Sequence, residues 1–155
     1  MKIYKLEAKQ ILPVTKSECW KFFSDPKNLQ NITPPEMNFE IKSDLPAKAY
    51  AGQIIVYRIK LFPGIKVSWV TEIAQVIEEE FFIDEQRFGP YKFWHHQHRF
   101  IETTEGIEVH DLVHYAVPFG IIGRLIHKLF IKGKLDNIFA FRKTILKKIF
   151  PTKVN

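Results

Sequence analysis

Between Phe119 and Phe150 the apolar residues recur at three- and four-residue steps. They are Ile122, Leu125, Ile126 and Leu129, then Leu135, Ile138 and Phe139, then Ile145, Leu146 and Ile149. This is the spacing of one face of an α-helix. A helix of roughly 30 residues spans about 45 Å, more than a small core can use as one element among equals. The rest of the chain must wrap around it, with the apolar stripe turned inward and the lysines left in solvent. Gly133 interrupts the middle and costs about 1 kcal/mol of helix propensity relative to alanine. The sequence therefore predicts a kink or break near Gly133, or close approach of a strand or ligand there.

What lies upstream reads mostly as strand. Lys2 to Leu12 is a first strand with imperfect alternation, ended by Pro13. Thr15-Lys-Ser-Glu18 is a capping box for a short helix whose buried side is Cys19, Trp20, Phe22 and Phe23. Asp25 caps a second short helix with Pro26 in its first turn, anchored by Leu29 and Ile32 and stopped by Thr33-Pro34-Pro35. Strands are expected at Met37–Ile41, Ile54–Phe62, Val67–Ile77, Phe81–Phe88, Phe93–Glu102 and Ile107–Val117. Pro63-Gly64, Gly89-Pro90 and Thr103 to Gly106 supply turns. Strands joined by short turns are antiparallel, and a sheet with one apolar face must cover it. The long terminal helix is the expected cover. The fold class is thus α+β: about seven antiparallel strands curved around a C-terminal helix, with two short helices after the first strand. Such a sheet and helix can leave a ligand-sized cavity between them.

Composition narrows the function classes. At 155 residues one domain is the natural count. No run of about 18 uncharged apolar residues exists, and the charged N-terminus carries no apolar leader, so a cytoplasmic protein is expected. Cys19 is the only cysteine and reads as buried filler rather than a nucleophile. The net charge is +6, concentrated in Arg124, Lys128, Lys132, Lys134, Arg142, Lys143, Lys147, Lys148 and Lys153. A solvated helix face accounts for these. The sharper reading is weak contact with an anionic membrane through the basic helix. Nucleic acid is not expected as a partner, since no binding motif accompanies the charge.

The chemistry-bearing stretch is Trp94-His95-His96-Gln97-His98. Alternation along a strand puts Trp94, His96, His98 and Phe100 on one face. On the next strand Ile107, Val109, Asp111, Val113, Tyr115 and Val117 form the more apolar, cavity-facing set. An even connecting loop sets His98 opposite Asp111, whereas a three-residue loop would turn Asp111 away. An inward Asp111 needs a partner, and His98 is the obvious one. Three readings stay open: a structural His–Asp pair, recognition of a polar head group by His96, His98 and Tyr115, and acid/base catalysis with His98 as base and Asp111 as its orienting carboxylate. His96 and His98 could chelate, but spacing places no third ligand, so no metal is expected. No nucleophile triad, phosphate loop or cysteine-based metal pattern appears, and no cofactor is expected. Arg58 and Lys60 share a face with Ile54, Val56 and Phe62; Arg58 reads as an outward-facing surface residue, with contact to an anionic ligand as the alternative, and Ile55, Tyr57, Ile59 and Leu61 read as core.

The element order resembles the helix-grip fold of the START/Bet v 1-like superfamily (SRPBCC, polyketide cyclase-like). Phe22 to Leu29 is similar to its "Phe-x-x-Asp-Pro-x-x-Leu" phrase. Gly89-Pro-Tyr-Lys-Phe-Trp-His-His-Gln-His-Arg-Phe, Asp111-Leu-Val-His-Tyr and Pro118-Phe-Gly are similar to an uncharacterised bacterial subgroup. The resemblance covers residues 1–155 as one ligand-binding domain. It implies a pocket for a hydrophobic or amphipathic small molecule, lipid- or polyketide-like, but no single activity. The candidate ligand-binding set is Trp69, Trp94, His96, His98, Phe100, Asp111, Tyr115, Leu129 and Phe139. The alternative is a small cyclase- or hydratase-type enzyme using His98 and Asp111.

Overall fold

The computed structural model describes residues 1–46, 48–62 and 64–152. Pro63, half of one expected turn, and Lys153 lie outside the described residues. Seven strands form one antiparallel sheet: β1 (Tyr4–Leu12), β2 (Glu40–Ile41), β3 (Gln53–Phe62), β4 (Ile65–Ile77), β5 (Phe81–Phe88), β6 (Phe93–Thr103) and β7 (Gly106–Ala116). Their spatial order is β1-β7-β6-β5-β4-β3-β2. Register shifts between Lys60 and Phe62, Val70 and Thr71, and Ile73 and Gln75 add residues to one strand of a pair. Such bulges sharpen local twist, which bends the sheet into a grip.

Helix α1 (Lys16–Phe23) starts at the expected capping box: the Glu18 backbone N–H donates to the Thr15 hydroxyl and the Thr15 N–H to the Glu18 carboxylate. The second short helix is a 3-10 turn, Pro26–Gln30, and another follows at Pro35–Met37, so the strand expected from Met37 shortens to Glu40–Ile41. The 3-10 turn takes up Met37, and Asn38 follows in the left-handed region at φ 44°, a conformation that no strand contains. Cys19 and Trp20 of α1 pack against Phe82 and Phe100. Burial pushes the Cys19 thiol up to about 12, as filler rather than a nucleophile requires.

The C-terminal helix runs as α2 (Gly120–Ile126), a π-helical segment (His127–Ile131) and α3 (Lys132–Ile149). Its second half largely behaves as expected: Leu135 and Leu146 are buried and Ile138 and Phe139 are half-buried against the sheet, while Ile149, in the last turn, is exposed. Its first part does not. Ile122, Leu125, Ile126 and Leu129 are exposed. Here Gly123 and His127 turn inward instead. A Cβ on Gly123 would stand 1.7 Å from the Pro118 carbonyl oxygen, so only glycine permits this approach. His127 Nε2 lies 2.8 Å from the Tyr115 hydroxyl, and its ring stacks on Tyr4 at 3.6 Å. Periodicity finds the apolar stripe of a helix but not which way it faces; here a small and a polar residue make the contact. Gly133 is exposed with nothing near its missing Cβ, so no strand or side chain closes on it. The irregularity lies just before it, in the π-helical turn. Among the described residues, no helix is long and apolar enough to cross a membrane.

Candidate functional site

Between the sheet and α3 lies a cavity of about 180 Å³. At about 30 Å³ for each water in the liquid, this is room for at least roughly six waters. Its walls are largely apolar. Phe22, Phe23, Leu29 and Ile32 close one end, Ile55, Tyr57, Ile59, Trp69 and Trp94 come from the sheet, and Leu135, Ile138 and Phe139 from α3. Trp69, Tyr91 and Trp94 form an aromatic corner, the two indoles edge-on at 5.1 Å. Lys134 reaches across from α3 to donate to the Leu61 carbonyl, fastening helix to β3.

One wall is charged. Asp84, His96, His98 and Arg142 all line the cavity. The hairpin loop is Thr104-Glu105, an even loop, because Thr103 pairs with Gly106. His98 therefore stands opposite Asp111, and β6 alternates with Trp94, His96, His98 and Phe100 buried. Across the next pairing, Asp84 of β5 stands opposite His96 and beside His98. The two imidazoles lie with their centroids 3.7 Å apart, tilted by 38°, between the two carboxylates. His96 donates from Nε2 to Asp111 Oδ1 at 2.9 Å, and His98 donates from Nε2 to Asp84 Oδ2 at 2.8 Å. His98 Nδ1 is also 2.9 Å from Asp111 Oδ1, but it makes no hydrogen bond, so this is a charge contact made off the N–H direction. Behind them Arg142 Nη1 lies 3.7 Å from Asp111 Oδ1.

The protonation pattern follows from this geometry. Burial pulls the His98 imidazole down, but the two adjacent carboxylates, Asp111 and Asp84, outweigh it and hold His98 above the ordinary histidine value. His96 is driven below that value by burial and then by the neighbouring His98 charge. Burial alone would raise both carboxyls; the two histidines reverse this, holding Asp84 below and Asp111 well below the usual carboxylate range. The two carboxylates thus favour the proton on His98 and face the Arg142 guanidinium, while His96 holds its proton less tightly than His98. Burial, and then Asp84, raise the phenol of Tyr57. The Nε of Arg142, buried, has no hydrogen-bond partner among the described residues.

Of the expected ligand-binding residues, Trp69, Trp94, His96, His98 and Phe139 line the cavity. Asp111 sits behind the histidines rather than on the wall. Phe100 does not line it: it points into the core against Trp20 and Phe23. Tyr115 is turned to His127, and Leu129 is 61 % exposed because its part of the helix faces outward. Arg58 is exposed, as read from the sequence. Sequence reasoning missed Asp84 and Arg142. Asp84 directly follows the apolar run Phe81-Phe82-Ile83, with Glu85 beside it; Arg142 was hidden among surface-like helix cations. Asp84 also supplies the third donor that spacing along β6 lacks: one ligand atom each from Asp84, His96 and His98 lie within 4.8 Å of one another and could hold a metal ion. Asp84 and Asp111 are already matched by His98 and Arg142.

No protein-family model matches the sequence, and no curated protein matches it. Solved structures do match along the whole chain. The protein TTHA0849 from Thermus thermophilus is 18% identical with a TM-score of 0.70, covering 94% of this chain and 97% of its own. Norcoclaurine synthase from Thalictrum flavum is 15% identical, TM-score 0.66, covering 98% and 96%. The di-domain ARO/CYC StfQ from the steffimycin biosynthetic pathway is 9% identical, TM-score 0.68, covering 96% of this chain and 50% of StfQ. The chain shares the helix-grip fold of these structures, an antiparallel sheet curved around a C-terminal helix.

Proposed function

We propose that the chain binds an amphipathic small molecule whose apolar body fills the cavity and whose anionic or oxygen-rich head meets the charged wall. The observation that carries this is the pairing of a mainly apolar cavity with one charged wall of Asp84, His96, His98 and Arg142, including a buried arginine Nε without a hydrogen-bond partner among the described residues. A buried donor left unpaired costs about 1–3 kcal/mol, which a ligand oxygen would recover. The names of the similar structures support the reading: one is a synthase and another an ARO/CYC protein of a biosynthetic pathway. Domain extent, residues 1–155, belongs to the same proposal.

1-Anilinonaphthalene-8-sulfonate combines an apolar body with one anionic group and tests it directly. Saturable binding with a blue-shifted emission is expected. Ile138→Trp puts an indole on the cavity wall and should weaken binding by about tenfold or more, at an overpacking cost of about 1–3 kcal/mol. Unsaturable binding, or binding that Ile138→Trp leaves intact, overturns the proposal.

A second reading, a cyclase- or hydratase-type enzyme using His98 and Asp111, is favoured by one observation. His98 faces the cavity while Asp111 stands 2.9 Å behind it. With its raised proton affinity His98 is suited to the acid role, and a base must be neutral at working pH. NMR titration of the imidazoles should find His98 protonated at pH 7 and His96 neutral. The reverse order would return His98 to the role of base.

A further inference from the structure

The outward face of α2 and the π-helical turn is the largest feature that the cavity does not explain. Phe119, Ile121, Ile122, Leu125, Leu129 and Phe130 are each between 59 and 77 % exposed. Single exposed apolar residues are ordinary; a contiguous stripe of large ones marks a surface that something covers. The body of the protein cannot cover it, because Gly123 and His127 hold the opposite side of this helix against Pro118, Tyr115 and Tyr4.

Charge says what does. Arg124, Lys128 and Lys132 follow at four-residue steps beside the stripe, and no acidic residue occurs from Leu112 to Leu135. Asp111, at one end, is buried, and Asp136, at the other, pairs with Lys132 at 2.8 Å. A second copy docked on this face would bring like-charged rows together with no acid in the segment to oppose them. An anionic lipid surface offers both things the face asks for: apolar depth for the phenylalanines and leucines, and negative headgroups at the rim.

We propose that this face docks the protein on anionic membranes, with the apolar stripe set into the headgroup boundary and Arg124 and Lys128 on the lipid phosphates. The role stands independently of what the cavity holds. It narrows the expected membrane contact of the basic C-terminal helix to the apolar face of α2 and the π-helical turn.

Flotation of the full chain with vesicles tests it. Binding to phosphatidylcholine mixed with phosphatidylglycerol should be strong, binding to phosphatidylcholine alone weak, and the difference should shrink in high salt. Arg124→Gln with Lys128→Gln should lower partitioning roughly thirtyfold. Leu125→Ser with Leu129→Ser should abolish it while leaving the circular dichroism spectrum and melting temperature unchanged, since both side chains are exposed. Lys143→Gln with Lys147→Gln on α3 should leave it intact. Absence of binding to the mixed vesicles overturns the proposal. So does equal binding to both vesicle types, or a dimer in sedimentation velocity that the leucine variant dissolves.

Discussion

Asp111→Asn is expected to destabilise the protein by about 3–5 kcal/mol, the range for breaking a buried ion pair by removing one partner. The volume hardly changes, so packing is not the cause. The loss comes from charge: His98 Nδ1 keeps a buried proton 2.9 Å from an atom that is no longer an anion, and Arg142 Nη1 loses the carboxylate 3.7 Å away. Chemical denaturation measures the loss, and its pH dependence identifies the source. Asp111 is held well below its ordinary value, so its contribution is complete above about pH 4 and is lost as pH falls through the folded-state value. His98 is held above its ordinary value, so its share is complete below about pH 6.5 and is lost as pH rises through the folded-state value. His96, held low, works in the opposite sense, favouring the fold above about pH 6.5 and opposing it as pH falls below. The gap between wild type and Asp111→Asn should therefore be widest in mildly acidic solution and narrow on both sides. A gap under 1 kcal/mol at pH 5 would mean that the four charged groups do not act as one unit.

That network also shows how far the sequence could be read. Residues within one hairpin were legible: strand alternation and an even loop are enough to put His98 opposite Asp111, and both facts are local. Asp84 and Arg142 were not, because each arrives from another element. Asp84 depends on the register of β5 against β6, where no tight turn fixes the pairing: the connection runs from Gly89 to Lys92. Arg142 depends on the rotation of α3 about its axis, and a cation on a helix rich in cations carries no mark of burial. The fold itself was legible for a similar local reason, since the capping box, the turns and the period of α3 are each set within a few residues. The first part of the terminal helix failed because the sequence contains a good apolar stripe there, and only the tertiary contact of Gly123 with the Pro118 carbonyl decides that it faces outward.

Phe100→Ala separates core from site, since alternation put Phe100 on the face of the ligand-binding candidates. It is buried at 3 % exposure, edge-on to Trp20 at 5.7 Å and tilted against Phe23 at 5.4 Å. Truncation should cost about 3–5 kcal/mol, the usual range for a buried phenylalanine whose surroundings cannot collapse onto the void. Two rings from α1 lean on this one, and α1 is tied at its start by its capping box, so little relaxation is available. Phe139→Ala should behave in the opposite proportion. Its ring is half-buried on the cavity wall beside His96, so the stability loss should be smaller and the loss of anilinonaphthalenesulfonate affinity larger. Denaturant unfolding at constant m-value, read beside a binding titration of each variant where it is fully folded, gives both quantities. If Phe100→Ala weakens the probe as much as Phe139→Ala does, the ligand reaches past His98 toward α1, and the closed end of the cavity at Phe22 and Phe23 is part of the binding surface.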